Sequence, residues 1–311
     1  MKKYGYYITI CFLSLLPQLA EAGTFQPFVD VLAWRAAESN AAWATTINAP
    51  SGRKTVTDSL ITYSTRPGVK AGLSYLNDDN FWDTKLYWTY FTTSNTNNIP
   101  VGSGLVSSLF FSGSFFISNN LFVGASSNWQ LAMNMLDLEI SRLFKVADTL
   151  TLSPAVGLKG GSINQEINVN WNAFFYHANE DVTSDFTGIG PTLGLGAKWN
   201  FYGNFNLVGD VSMALMYGRW NMNDTYSRPA SLVSTQTTIK TTLNQSQLGS
   251  VMTDYYAGLE WKHSGNSKVA VRLGYEMQYW SNQLRLIAVQ QLPAQGDLTL
   301  QGAVCGISID L

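Results

Sequence analysis

The chain has 311 residues, 46% of them hydrophobic, 13% aromatic and only 13% charged, with a formal charge of −2. Soluble domains carry about a quarter charged residues, so this chain is short of charge for one, and the absence of a basic excess argues against nucleic-acid binding. No run of about 18 apolar residues follows the first twenty positions, which excludes an ordinary membrane-spanning helix.

The N-terminus, "MKKYGYYITICFLSLLPQLAEAG", joins a basic start (Lys2, Lys3) to an apolar run from Ile8 to Leu16. Pro17 and a small-x-small site, Ala20-Glu21-Ala22, follow. This pattern predicts a signal peptide over residues 1–22, cleaved before Gly23, and one mature domain over 23–311. Cys11 lies inside the apolar run, which speaks against a lipoprotein. Cleavage leaves Cys305 as the only cysteine, so the exported chain folds without disulfides.

Beyond the leader, apolar and polar residues alternate with the two-residue period of strands. Residues 150–159 set Leu150, Leu152, Val156 and Leu158 against Thr151, Ser153, Gly157 and Lys159. Residues 189–201 set Ile189, Leu193, Leu195, Trp199 and Phe201 against Gly190, Thr192, Gly194, Gly196 and Lys198. The same holds over 205–217, 251–262 and 267–279, and with more noise over 67–76, 81–92 and 131–144. Short polar turns near 77–80, 145–148, 202–204 and 263–267 alternate with long polar stretches near 38–65, 93–128, 164–185, 221–248 and 282–296. Counting the runs gives ten strands with both chain ends on the short-turn side, the arrangement of an all-β, closed antiparallel transmembrane barrel with short periplasmic turns and long external loops.

A soluble sandwich also alternates, but its strands are shorter and its loops do not sort by length. Aromatics supply a further distinction. Trp82, Phe144, Trp199, Phe201, Phe205 and Trp261 flank the short turns, whereas Trp88, Tyr90, Tyr217, Tyr275 and Tyr279 lie about ten residues away. Two such belts match the two interfaces of a bilayer. The expected location is therefore the bacterial outer membrane, with its lipid as the surrounding partner. Closure is obligatory there, because hydrocarbon leaves no partner for a free strand edge.

Parity then assigns Lys70, Asp83, Lys85, Asp137, Glu139, Lys159, Lys198, Asp210, Asp254, Arg272 and Glu276 to the lumen, since a charge facing lipid at mid-depth costs roughly 2–4 kcal/mol. Counting from the turns places Lys70, Lys85, Glu139, Asp210 and Arg272 near mid-barrel, and Asp137, Asp254 and Glu276 further out. That outer acidic excess predicts a weak cation preference. Inward Gly188, Gly190, Gly194 and Gly196 leave space along one wall. Residues 101–126 are too apolar for a solvated loop; a constriction, an extra hairpin giving twelve strands, and a contact surface are the alternatives.

Several blocks carry a resemblance: "LDLEISRLF" (136–144), "LSPAVGLKGG" (152–161), "DFTGIGPTLGLGAKW" (185–199), "LMYGRW" (215–220), "RLGYEMQYWSNQ" (272–283) and "DLTLQGAVCGISIDL" (297–311). Through nearly its whole mature length the chain resembles the Legionella major outer membrane protein family of pore-forming barrels. The resemblance implies porin-type activity, passive diffusion of small solutes or ions, and no catalytic residues. It also implies insertion by the barrel-assembly machinery through the last strand. That strand ends in Leu311 rather than the usual phenylalanine, with Ile309, Ile307 and Cys305 keeping the apolar face.

Other chemistry has little support. Only His177 and His263 are available as general bases. His263 falls in a short turn, and His177 stands near Glu180, Asp181 and Asp185, so a surface hydrolase is a remote alternative and no enzyme is expected. The glycines around Gly188 fit no phosphate motif. Two histidines and one cysteine make no metal site, and no cofactor is expected. A sealed barrel that meets host surfaces through its external loops is the other alternative, and a homo-oligomer is compatible with either reading.

Overall fold

The computed structural model of the chain describes residues 23–39, 41–48, 54–77, 81–110, 121–230, 238–264, 268–287 and 293–311. The leader assigned to residues 1–22 and two of the short turns, at 78–80 and 265–267, lie outside the described residues. In chain order the strands are β1 (Gly23–Glu38), β2 (Ala42–Asn48), β3 (Thr55–Leu60), β4 (Arg66–Asn77), β5 (Trp82–Ile99), β6 (Leu105–Ser108), β7 (Leu121–Phe122) and β8 (Gly124–Arg142). They continue as β9 (Phe144–Ala147), β10 (Leu150–Asn172), β11 (His177–Tyr202), β12 (Phe205–Ser227), β13 (Thr238–Ser264), β14 (Lys268–Ile287) and β15 (Pro293–Asp310).

Ten of these close a barrel in the order β1-β4-β5-β8-β10-β11-β12-β13-β14-β15, with β15 returning to β1 in antiparallel register from Phe28↔Ser308 to Glu38↔Leu298. Short β9 continues the line of β8 along β10. β2, β3, β6 and β7 form a separate four-stranded sheet at the outer end. The apolar stretch after Ile99 therefore adds strands to that sheet and not a further hairpin to the barrel wall; residues 111–120 of it lie outside the described residues. At the other end Tyr202 and Phe205 pair across a two-residue turn in which Gly203 has φ +52°, a conformation cheap only without a Cβ.

The strands are taller than the sequence alternation suggests. Residues 164–172 and 177–185, which read as external loop, are continuous ladder between β10 and β11, from Asn164↔Asp185 to Asn172↔His177. The reason is a change of polarity along each strand. On β10 the outward residues pass from exposed Val156 and Leu158 to exposed Asn164, Glu166 and Asn170, with half-exposed Asn168 among them. The inward ones pass from Gly157 and Lys159 to buried Ile163, Gln165, Ile167, Val169 and Trp171. On β12 outward Met213, Leu215 and Tyr217 give way to Arg219, Asn221 and Asn223, while inward Met216, Trp220 and Met222 are buried. On β8 outward Leu136, Leu138 and Ile140 meet Asn134, Gln130 and Asn128, while inward Asp137 and Glu139 meet Met135, Met133, Leu131 and Trp129. One cylinder thus has two sections: a lower one, oily outside and ionic inside, and an upper one built like a soluble protein.

A break in β14 closes the upper section. The register with β15 shifts between Trp280 and Leu284, where Asn282 adopts φ +51° and its N–H donates to Asp297 Oδ1 at 2.9 Å. Asparagine tolerates this left-handed geometry better than other chiral residues. Past the bulge Gln283, Leu284, Arg285, Leu286 and Ile287 are all buried.

The two sections make a labelling prediction. In a Cys305→Ser background, Asn168→Cys reacts with a membrane-impermeant maleimide on intact cells and Leu158→Cys does not. Equal labelling at the two positions contradicts the change of polarity.

Candidate functional site: the charged vestibule and its apolar seal

All eleven belt aromatics point outward. Trp82, Trp88, Tyr90, Phe144, Trp199, Phe201, Phe205, Tyr217, Trp261, Tyr275 and Tyr279 are exposed, from 37% to 58%. Phe205 and Trp261 are register partners near the short turns. Trp88 donates from Nε1 to Asn134 Oδ1 at 2.6 Å, and Tyr275 donates to Gln301 Oε1 at 3.2 Å, as an aromatic at a water boundary does. The twelve residue steps from Phe205 to Tyr217 rise roughly 28 Å when tilted, about one hydrocarbon thickness.

The eleven charged residues assigned by parity lie on the inward side of the lower section. Lys159 and Asp137 are register partners on β10 and β8 and pair at 2.6 Å, both almost wholly buried. Lys85 meets Glu139 across the β5–β8 pair at 3.7 Å and Asp83 on its own strand at 3.5 Å; Asp83 also accepts from the Ser74 hydroxyl. Lys70 on β4 reaches Glu276 on β14 at 2.7 Å, spanning β15 and β1. Gln278 Nε2 donates to both Glu276 and Asp254 at 3.1 Å, tying the two carboxylates together. Lys198 pairs with Glu260, to which Asn206 also donates at 3.2 Å. The Asp210 carboxylate folds over the bare Cα of Gly196.

Arg272 makes a bidentate pair with Asp30, 2.8 Å from Nε and 2.5 Å from Nη2. The partners sit on β14 and β1, and Gly306 on β15 lies between them in the same row. A Cβ at Gly306 would overlap both side chains. Lys262 and Asp310 pair at 3.0 Å across β14. Asp30, Glu260, Lys262 and Asp310 are lumen groups that sequence reasoning left out. Glu260 and Lys262 share the polar face of the run containing Asp254, and Asp30 lies between outward Val29 and Val31, so alternation alone identifies them.

Depth is where expectation and structure part. The acids placed further out, Asp137, Asp254 and Glu276, line no external mouth. Above them the interior is a packed apolar core: Leu32, Trp34, Phe91, Trp129, Leu131, Met133, Ile167, Trp171, Phe186, Trp220, Met252, Trp280 and Leu300 are fully buried. The Phe186 and Trp220 rings lie 4.4 Å apart, and Trp34 and Phe91 5.7 Å. Phe122 of the outer sheet stacks on Trp171 at 4.8 Å, and Trp43 joins it at 5.8 Å. The space expected over the inward glycines is occupied too, since the Phe186 ring lies over Gly188 and over Gly218 on the next strand. Zero exposure of these side chains leaves no room for water among them. Taking an ion unescorted into such a medium costs on the order of 20 kcal/mol in the idealised limit. The vestibule below the seal is water-reached: the Lys85, Arg272, Lys198 and Lys262 side chains keep 34–42% exposure.

The seal contains ionisable groups as well, Glu38, Glu180 and Asp224 among them. Glu38, at the outer end of β1 beyond outward Arg35, is half-buried as a residue, but both carboxylate oxygens are buried and neither has a hydrogen-bond partner among the described residues. Burial pushes its carboxyl up from 4.5 to about 8, with the Gln165 side chain only partly offsetting it. Its neighbour Tyr63 is held well above the usual tyrosine range, by burial first and Glu38 second. Arg285, stacked on Trp220 at 4.4 Å and bonded to Gln245 Oε1 at 2.8 Å, is pulled down by burial.

His177 is exposed on the outer turn with Nδ1 2.7 Å from Asn172 Oδ1. Glu180 points the other way, accepting from Trp171 Nε1 at 2.8 Å and from the Ser108 hydroxyl at 3.2 Å. The structure does not bring the histidine and this carboxylate together. Among the described residues no group of three His, Cys, Asp or Glu is placed to hold a metal ion.

Residues 18–311 match the family model described as Legionella pneumophila major outer membrane protein precursor. No curated protein matches the chain. Among solved structures it is similar to the outer membrane protease OmpT from Escherichia coli, with 12% identity, 93% of this chain and 97% of that one covered, and a TM-score of 0.48. It is also similar to a Pseudomonas aeruginosa FadL homologue (8% identity, 93% and 90% covered, TM-score 0.29) and to the Pseudomonas putida toluene transporter TodX (8%, 93% and 89%, TM-score 0.28). At these values the likenesses say nothing of activity.

Glu38 sets a pH dependence. Its folded pKa is raised, so the folded state holds a proton that the unfolded state releases between the two values. Stability is full below about pH 4.5, falls as pH rises towards about 8, and is flat above it. Glu38→Gln removes that fall, so urea unfolding midpoints at about pH 5 and about pH 9 draw together in the variant and stay apart in the wild type. The same separation in both proteins contradicts the assignment.

Proposed function

Because the chain belongs to the Legionella pneumophila major outer membrane protein family and is an outer-membrane barrel, we propose that it is a porin-type protein whose resting state is shut. The observation that carries this reading is the stacking of two unlike compartments in one lumen. The vestibule is a water-reached chamber in which nine acids face six bases among the described residues, and its net negative charge favours cations. The seal above it excludes water. Passive diffusion of small solutes then requires the seal to part. The ion pairs of the vestibule wall stay in place while it does, since they join strands that the closed barrel holds in register.

The same seal favours a second reading, a sealed barrel serving as a surface-exposed structural protein or adhesin. Trp34, Trp129, Trp171, Trp220 and Trp280 belong to the barrel strands themselves, so no loop can carry them away. The tall polar outer wall, with Asn164, Asn168, Asn170, Asp181 and Asn223 facing water, offers area for contact with another surface. We infer no enzymatic activity. His177 bonds an asparagine, and the inward Glu180 is engaged by Trp171 and Ser108.

Single-channel recording on refolded protein separates the readings. A porin shut at rest gives a quiet baseline with brief openings, and Trp129→Ala with Trp280→Ala raises the open fraction at least tenfold with cation-selective reversal potentials. Steady wild-type conductance contradicts the seal. Silence in both proteins, with the barrel shown folded by its heat-dependent shift on a gel, contradicts the pore.

A further inference from the structure

We propose that the solutes this barrel admits are small, uncharged and apolar, received in a cleft at its outer end and passed through a methionine-lined seal. The inference rests on the porin-type reading and names the solute class that the closed seal selects; the vestibule's preference for cations is expressed only where the seal has parted. The first observation is the chemistry of the seal. An ion crossing it must shed its water among mainly apolar side chains, whereas an apolar solute exchanges one set of dispersion contacts for another.

The second observation is which side chains make the seal adaptable. Met133 and Met135 on β8, Met216 and Met222 on β12 and Met252 on β13 are all fully buried there. Five of the seven methionines downstream of the predicted leader thus lie inside the barrel, spread through the seal. Methionine is unbranched and polarizable, re-packs around irregular shapes, and recurs at surfaces that accept varied apolar partners. A seal meant only to be rigid is better served by leucine or isoleucine, whose rotamers are better defined.

The third observation is an entrance of matching chemistry. At the outer end, between the small sheet and the β10–β11 turn, lies a cleft of about 730 Å³. Ile47, Val101, Leu105 and Phe174 line it, with Asn172 and His177 as polar groups. That size and mixture, an apolar wall with few polar groups, suits a small organic molecule. The cleft adjoins the seal through its lining residues Val123 and Asn172, whose chain neighbours Phe122 and Trp171 stack at 4.8 Å.

The test uses cells displaying the full chain and two solutes. Entry of the apolar dye N-phenyl-1-naphthylamine is followed by its fluorescence, and entry of the anionic β-lactam nitrocefin by its periplasmic hydrolysis. Dye entry is expected to be severalfold faster than in cells with empty vector, with nitrocefin unchanged. Val101→Asp with Phe174→Asp, both exposed and so harmless to folding, returns dye entry to the vector rate. Met133→Leu with Met216→Leu, which conserve volume, slow it. Dye entry at the vector rate, or nitrocefin rising in parallel, overturns the proposal. If Trp129→Ala with Trp280→Ala conducts ions in a bilayer while wild-type dye entry stays at the vector rate, the pore stands and the apolar class falls.

Discussion

The tall strands of the barrel wall, β8, β10 and β12 among them, must satisfy two solvents in turn, and the rest of the structure follows from that. In hydrocarbon the backbone pairs only with itself and ionised side chains turn inward. Above the bilayer the same wall meets water, and the hydrophobic effect asks for the opposite arrangement. β10 shows the change within one continuous strand: Lys159 inward and Leu158 outward, then Ile167 inward and Asn168 outward. The parity of the strand never slips. What changes is which parity is oily.

This constraint explains how the lumen is divided. Charges of both signs share the lower lumen, and most form pairs across neighbouring strands, as Lys159–Asp137 does, or over a glycine, as Arg272 and Asp30 do above Gly306. A buried pair of this kind adds little net stability, but losing one partner costs about 3–5 kcal/mol because the other charge is stranded. The upper lumen is mainly apolar. Tryptophan and methionine fill much of it, indole N–H groups finding Gln165, Glu180 and Gln278, and burial raises the Glu38 carboxyl to about 8. Vestibule and seal are thus consequences of one change of surroundings.

The barrel, its ten strands and the direction in which the lower side chains point were legible from alternation, because lipid enforces a clean two-residue period on both faces. Val271, Leu273, Tyr275 and Tyr279 are exposed and Glu276 is buried, as their parity requires. The upper section was hidden for a physical reason. Its outward face, with Asn164, Asn168 and Asn170, has the composition of a loop, and its inward Ile167 and Val169 look like the lipid face of a strand shifted by one residue. Only the unbroken register from Lys159↔Asp137 to Asn172↔Gly124 shows that both belong to a single strand. The seal was missed with it, since a filled lumen leaves no motif. Long-range partners such as Lys70 with Glu276 depend on barrel closure, which no local pattern encodes.

Polarisation transfer in solid-state NMR of the protein in lipid bilayers tests the two-section barrel most directly, by reading which spins on β10 receive magnetisation from acyl chains and which from water. The account predicts acyl transfer at Leu158, water transfer at Asn168, and neither at Ile167 and Trp171. Prompt water transfer to Ile167 and Trp171 would mean an open, wet lumen along the whole axis and would contradict it.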